Sequence, residues 1–173
     1  AALKTHDQRL SGDFAMLATL AWTGMRFGEC AALRWEDLDE AAGLVRIRRS
    51  HWHGKITLPK TGKIRSVALP PMLVGILREH RRALLQAQAP GVEDGWVFPS
   101  RTGTLRVPGS MRKALAGVLK AAEIKRRFTL HGLRHTFNNL ARQVTSAEVV
   151  RSMTGHVTER MTEHYSHVGA DEK

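Results

Sequence analysis

One stretch constrains this chain more than any other: residues 129–167, TLHGLRHTFNNLARQVTSAEVVRSMTGHVTERMTEHYSH. Its first part is read as a helix turning about 100° per residue. On that wheel His131, Arg134 and His135 share a face with Asn138 and Arg142, while Leu133, Phe137 and Leu140 fall opposite. Such a helix is expected to bury its apolar back and aim its His/Arg front at something anionic. The stretch ends at Tyr165, the chain's single tyrosine.

Charge says what sort of anion. The 173 residues carry 27 Lys+Arg against 16 Asp+Glu, a formal net charge of +11. An excess of that size points to a polyanionic partner. The length suits one domain with a sizeable core, and 42% hydrophobic residues favour folding over disorder. No apolar run of about 20 residues predicts a membrane-spanning helix. Nothing at the N-terminus reads as a signal peptide. A single cysteine, Cys30, excludes an internal disulfide and fits a reducing compartment.

In chain order, residues 1–10 are polar and read as a linker or tail from an upstream domain, with one domain over 11–173. Ser11 is placed as an N-cap with Asp13 in the first turn. Phe14, Leu17, Ala18 and Ala21 give a helical stripe that Gly24 ends in a left-handed cap. A second helix is expected over Arg26–Leu33, with Arg26 and Glu29 one turn apart. Trp35–Gly43 is an acidic connection. Leu44–Arg48 alternates as a strand, with Val45 and Ile47 on one face. His51-Trp52-His53-Gly54 reads as a turn. Lys55–Leu58 and Ile64–Leu69 are two more strands about a Pro59-Lys60-Thr61-Gly62-Lys63 tip. Three short sequential strands imply one antiparallel sheet.

Pro70-Pro71 opens a helix with Leu73, Ile76, Leu77 and Leu84 inward. Ala89–Gly95 is a loop and Trp96–Phe98 a short extended piece. Another helix covers Pro108–Ala122, with Met111, Leu115, Val118 and Leu119 inward. After the His/Arg helix come a short one near Ala147–Met153 and a last one from Thr158. The expected fold class is α+β, mainly α, with a small three-stranded antiparallel sheet.

Several pieces of this sequence, in order, resemble the catalytic domain of the tyrosine recombinases, the phage integrase family. Thr23-Gly24-Met25-Arg26-Phe27-Gly28-Glu29 is similar to that family's first-arginine box. Pro59-Lys60-Thr61-Gly62 resembles its hairpin lysine, and His131-Gly132-Leu133-Arg134-His135 its second-arginine box. Gly155-His156 and Tyr165, nine residues beyond His156, resemble the last histidine and the nucleophile, with Thr162 and His167 also in pattern. The match spans roughly residues 11–168. One departure is Met153-Thr154, where a leucine usually directly precedes Gly155; a packing change is the expected consequence.

The resemblance implies chemistry that these residue types suit. A tyrosine hydroxyl, with a pKa near 10, needs its proton accepted before it attacks at neutral pH. Arg26 and Arg134 would clamp the non-bridging oxygens of a DNA phosphodiester. Lys60 would protonate the leaving 5′-oxygen, although Lys55 and Lys63 compete for that role. His131 would accept the proton of Tyr165, and His156 would donate a hydrogen bond to the phosphate. Glu29 would orient an active-site group, and His135 would support the site. No metal, ATP or other cofactor is implied. Double-stranded DNA is the implied partner, with a homo-tetramer on paired DNA sites, a monomer free in solution, no membrane, and a bacterial or phage cytoplasmic setting at the nucleoid.

Blander readings stand beside these. Tyr165 alone is an ordinary half-buried tyrosine. Arg26 with Glu29 is a surface helix pair stabilising by about 0.3–0.5 kcal/mol. His131 and His135 at i, i+4 have zinc-ligand spacing, but their segment lacks the glutamate of an HExxH motif and no cysteine cluster joins them. A type IB topoisomerase uses a similar Arg, Lys, Arg, His and Tyr set; the HGLRH box and the His156–Tyr165 spacing favour a recombinase. A non-catalytic DNA-binding module of the same fold is the third alternative.

Overall fold

The computed structural model describes the backbone of residues 2–155 and the side chains of residues 12–155 apart from those of Ala147 and Arg151. The expected helix from Thr158, and the residues His156, Thr162, His164, Tyr165 and His167, lie outside that range.

Helix α1 (Ala2–Thr23) is the element the others gather on. It runs straight through Ser11, so the expected N-cap there is wrong. The helix formers Leu3, Lys4, Gln8, Arg9 and Leu10 precede Ser11, and a serine inside a helix costs only a few tenths of a kcal/mol. Gly12 marks a close approach instead: a Cβ there would stand 3.0 Å from Nη2 of Arg106. The buried stripe is broader than the sequence suggested. Ala15, Met16, Leu17, Thr19, Leu20 and Thr23 are all buried, while Phe14 faces solvent. The reason is that α1 packs against α2 (Phe27–Ala31), α3 (Pro71–Gln86), α4 (Pro108–Ala121) and α5 (Leu130–Val144) on several sides. Thr19 and Thr23 tolerate burial because each hydroxyl donates to the carbonyl four residues back, at 2.8 and 2.5 Å.

The sheet has three strands, but they are not the three expected. β1 (Leu38–Asp39) comes from the supposed acidic connection and pairs antiparallel with β2 (Leu44–Ile47). β2 in turn pairs with β5 (Arg65–Ala68), giving the order β1-β2-β5. Between β2 and β5 the chain makes a separate two-stranded ribbon, β3 (Ser50–Trp52) with β4 (Lys55–Thr57). The turn read at His51–Gly54 is therefore shorter. His51 and Trp52 are strand, and only His53 and Gly54, with φ 46° and 78°, make the left-handed pair that a two-residue hairpin requires. Val45, Ile47 and Val67 bury the inner face of the sheet as the alternation predicted.

Pro70 and Pro71 do start α3, and Leu73, Val74 and Leu77 are buried on it. Each of these adds about 1.5–3 kcal/mol of burial before entropy is counted. Leu84 is only half-buried. On α4, Met111 and Leu115 face the core, whereas Val118 is 51% exposed, contrary to expectation. The extended piece at Trp96–Phe98 enters the core, with Val97 and Phe98 fully buried. Helix α6 (Ala147–Thr154) closes the described chain and packs on α5 and β5.

Candidate active site

The Thr23–Glu29 motif is a corner between α1 and α2, and each glycine in it has a steric reason. Gly24 has φ +60° and its N–H donates to the Leu20 carbonyl at 3.1 Å, ending α1 as expected. A Cβ on Gly28 would lie 2.5 Å from the His51 carbonyl oxygen, so only glycine lets β3 press against α2. Arg26 lies between them as the extended N-cap of α2, so this helix starts one residue later than predicted and ends at Ala31. Its N–H donates to Oε2 of Glu29 at 2.8 Å, and its Nη1 donates to Oε1 at 3.2 Å.

Glu29 itself is 1% exposed, so the pair with Arg26 is not a surface pair. Burial pushes its pKa up, and that is the largest single influence. The hydrogen bonds and charge of Arg65, helped by the Arg26 N–H and guanidinium, outweigh burial and hold the carboxyl below its ordinary value. Arg65 was not singled out in the sequence. Its Nη1 and Nη2 donate to the two oxygens of Glu29 at 3.0 and 2.6 Å, and its Nε donates to the Met153 carbonyl at 2.9 Å. The missed signal was its register: Arg65 shares the inward face of β5 with Val67, where a charge demands a buried partner.

Lys60 sits on the turn that follows β4, closed by a 2.7 Å hydrogen bond from Gly62 N–H to the Pro59 carbonyl. Its side chain is exposed.

Helix α5 is capped by Thr129, whose hydroxyl oxygen accepts from Gly132 N–H at 3.0 Å. The expected division into apolar back and cationic front is corrected here. Arg134 and Asn138 are its most buried residues, at 2% and 3% exposure, while Leu140 is 57% exposed. The inward face is centred on Arg134, with Leu130 and, as expected, Leu133 packed on the core beside it. Arg134 can be buried because its guanidinium meets backbone oxygens: Nη1 donates to Gly24 and Nη2 to Thr154, both at 2.5 Å. His131 lies in the first turn, its ring edge-on to His135 at 4.6 Å between centroids. It keeps solvent contact, yet partial desolvation lowers its pKa, and the charges of His135, Arg134 and Arg26 lower it further.

These elements enclose one cleft of about 1860 Å³. Arg26, Lys60, His131 and Arg134 all line it; of the three hairpin lysines, Lys55 and Lys63 do not. Eight arginines and lysines stand on its walls against one carboxylate, Glu123. Trp52 and Phe128 add aromatic surface. Among the described residues no three His, Cys, Asp or Glu side chains come together as a metal ion would require. His156 and Tyr165 are outside the described residues; the described chain ends at Gly155, in the left-handed conformation with φ +67°.

Residues 2–172 match the model of the phage integrase family. This chain belongs to that family. Among curated members, a XerC-like tyrosine recombinase of Caldanaerobacter subterraneus is 27% identical over 96% of this chain and 47% of its own length. XerC of Azotobacter vinelandii is 32% identical, covering 90% of this chain and 48% of that protein. A putative prophage phiRv2 integrase of Mycobacterium tuberculosis is 30% identical, over 88% and 42%. The chain thus spans about half the length of the curated relatives it matches. The integrase fold is also met in solved structures. XerA recombinase superposes with a TM-score of 0.76 at 23% identity, over 92% of this chain and 55% of XerA. XerH bound to its difH substrate in a pre-cleavage complex gives 0.73 at 21%, over 91% and 43%.

At Thr154, where the resemblance predicts leucine, the packing of this integrase-family chain accommodates threonine. Thr154 is fully buried, and its hydroxyl donates to the Val150 carbonyl at 2.8 Å. Among the described residues no helix is long and apolar enough to cross a membrane.

Proposed function

We propose that this chain is the catalytic domain of a site-specific DNA recombinase that cuts and rejoins strands through Tyr165. The observation that carries the proposal is the convergence of Arg26, Lys60, His131 and Arg134, from three separate segments, on one cationic cleft. Arg26 and Arg134 stabilise charge on the non-bridging oxygens as the phosphate becomes five-coordinate. The Tyr165 oxygen forms a bond to phosphorus while its proton passes to His131. The bond from phosphorus to the 5′-oxygen breaks, and Lys60 supplies the proton that makes a 5′-hydroxyl. His156 donates a hydrogen bond to the same phosphate. The lowered pKa of His131 leaves its imidazole neutral near pH 7, the state in which it accepts a proton.

The resulting 3′-phosphotyrosine keeps the energy of the broken diester. A 5′-hydroxyl from a second duplex gives its proton to the Lys60 amine, attacks phosphorus, and expels Tyr165, which regains its own proton. Neither metal nor ATP enters the sequence. Strand exchange needs two duplexes side by side, so the full-length protein works as a tetramer on paired sites, in the cytoplasm of a bacterium. XerH bound to its difH substrate in a pre-cleavage complex is the kind of DNA-bound state this reading expects.

The end chemistry tests this. The strand released by cleavage should accept label from polynucleotide kinase with no phosphatase treatment, because it carries a 5′-hydroxyl. A 5′-phosphate on that strand would rule the mechanism out.

A further inference from the structure

We propose that Arg65 is a positioning residue that locks the Arg26 corner to the end of α6, and so fixes the phosphate-clamping Arg26 relative to Gly155. The inference rests on the recombinase reading for its catalytic consequence and on the geometry for the lock itself.

Arg65 stands on β5 and commits all three of its nitrogens. Two go to the carboxylate of Glu29, whose Oε1 also accepts from Arg26. The third goes to the Met153 carbonyl in the last turn of α6. The next residue, Thr154, gives its carbonyl to Arg134, which also grips the Gly24 carbonyl. Two arginines therefore tie two successive carbonyls of α6 to opposite ends of the Gly24–Glu29 corner. Gly155 follows directly, and a Cβ on it would meet Arg65 Nη1 at 3.3 Å and Cδ at 3.4 Å. The left-handed Gly155 is thus seated on the Arg65 side chain. A shift of Arg65 moves the Arg26 corner and the end of α6 relative to one another.

A rival role would be plain charge neutralisation, since Glu29 is a buried carboxylate that needs a cation. Two variants separate the two roles. Arg65→Lys keeps the charge but cannot fork across Glu29 while also reaching Met153. Glu29→Gln/Arg65→Met removes both charges and leaves no buried ion unpaired. Each is compared with the unaltered chain for covalent attachment rate to a saturating nicked duplex, for DNA affinity, and for amide exchange over residues 147–155.

Positioning predicts that both variants bind DNA within about threefold of the unaltered chain, since the phosphate contacts lie elsewhere. It predicts attachment slowed by about 100-fold in both, the scale of an ångström-level misplacement. It also predicts faster exchange over 147–155 with exchange in β2 unchanged. A double variant that attaches at the unaltered rate would overturn the proposal in favour of neutralisation. Should the unaltered chain form no adduct, the recombinase reading fails, and exchange alone decides the lock. Unchanged exchange over 147–155 in Arg65→Lys would then refute it.

Discussion

Phe137 on α5 fills the space where Gly24 would carry a side chain: a Cβ built on Gly24 would stand 2.3 Å from Phe137 Cδ1. This contact, with the bond from Arg134 to the Gly24 carbonyl, fastens the two arginine-bearing segments together. Gly24→Ala should therefore cost twice. The left-handed backbone is penalised by about 1–2 kcal/mol and overpacking adds about 1–3. Urea unfolding should show the loss, and a Phe137→Leu background should lessen it. Equal losses in both backgrounds would mean that the ring contact is unimportant.

Lys60 is distinguished from its neighbours by lining the cleft, which makes a chemical prediction. Lys60→Ala should slow cleavage by about 10²–10⁴-fold, the usual contribution of a general acid. A substrate with sulfur in place of the bridging 5′-oxygen should restore the rate, because a thiolate leaves without a proton. Lys55→Ala and Lys63→Ala should remain close to the unaltered chain. Failure of sulfur to rescue Lys60→Ala would place the lysine elsewhere in the mechanism.

His80 gives the fold a pH dependence of known sign. It is 3% exposed, its Nε2 lies 2.7 Å from the Val97 carbonyl, and burial lowers its pKa from 6.5. The unfolded chain then binds the proton more readily than the folded one. The contribution to stability is complete above about pH 6.5 and shrinks as pH falls toward the folded value. His131 adds in the same direction. Urea midpoints should drop between pH 7 and 5.5, and His80→Gln should flatten that drop. An unchanged slope in His80→Gln would assign the effect to other groups.

Cys30 is fully buried and burial pushes its thiol pKa well up. A thiol reagent should label it only as fast as the domain unfolds, with the rate rising in urea. Labelling of the native chain at the speed of a free thiol would contradict its placement.

The sequence and the fold agree where one local rule decides. Gly24 as a left-handed stop, Pro71 at the head of α3 and the Val45/Ile47 face of β2 each follow from a single residue type or a single period. Disagreement arises where tertiary partners decide. Nothing local distinguishes a solvent-facing arginine from Arg134, to which Gly24 and Thr154, distant in sequence, present carbonyls that help it stay buried. The strand pairing failed for a related reason. β2 skips its nearest neighbour in sequence to pair with β5, leaving the β3–β4 ribbon outside the sheet. The cleft-lining Arg26, Lys60, His131 and Arg134 were legible as an ordered set of motifs. Arg65 was not, because it carries no motif and its importance lies in what it holds.

The central claim is that Tyr165 forms a covalent bond to DNA. The most direct measurement mixes the chain with nicked duplexes of varied sequence, denatures the mixture, and looks for protein that stays attached to a strand. The nick lets the short cleaved fragment diffuse away and traps the intermediate. An adduct at the 3′-phosphate, mapped to the Tyr165 peptide and absent with Tyr165→Phe although that variant still binds DNA, is the predicted result. An adduct that survives in Tyr165→Phe, or that maps to another residue, would contradict it.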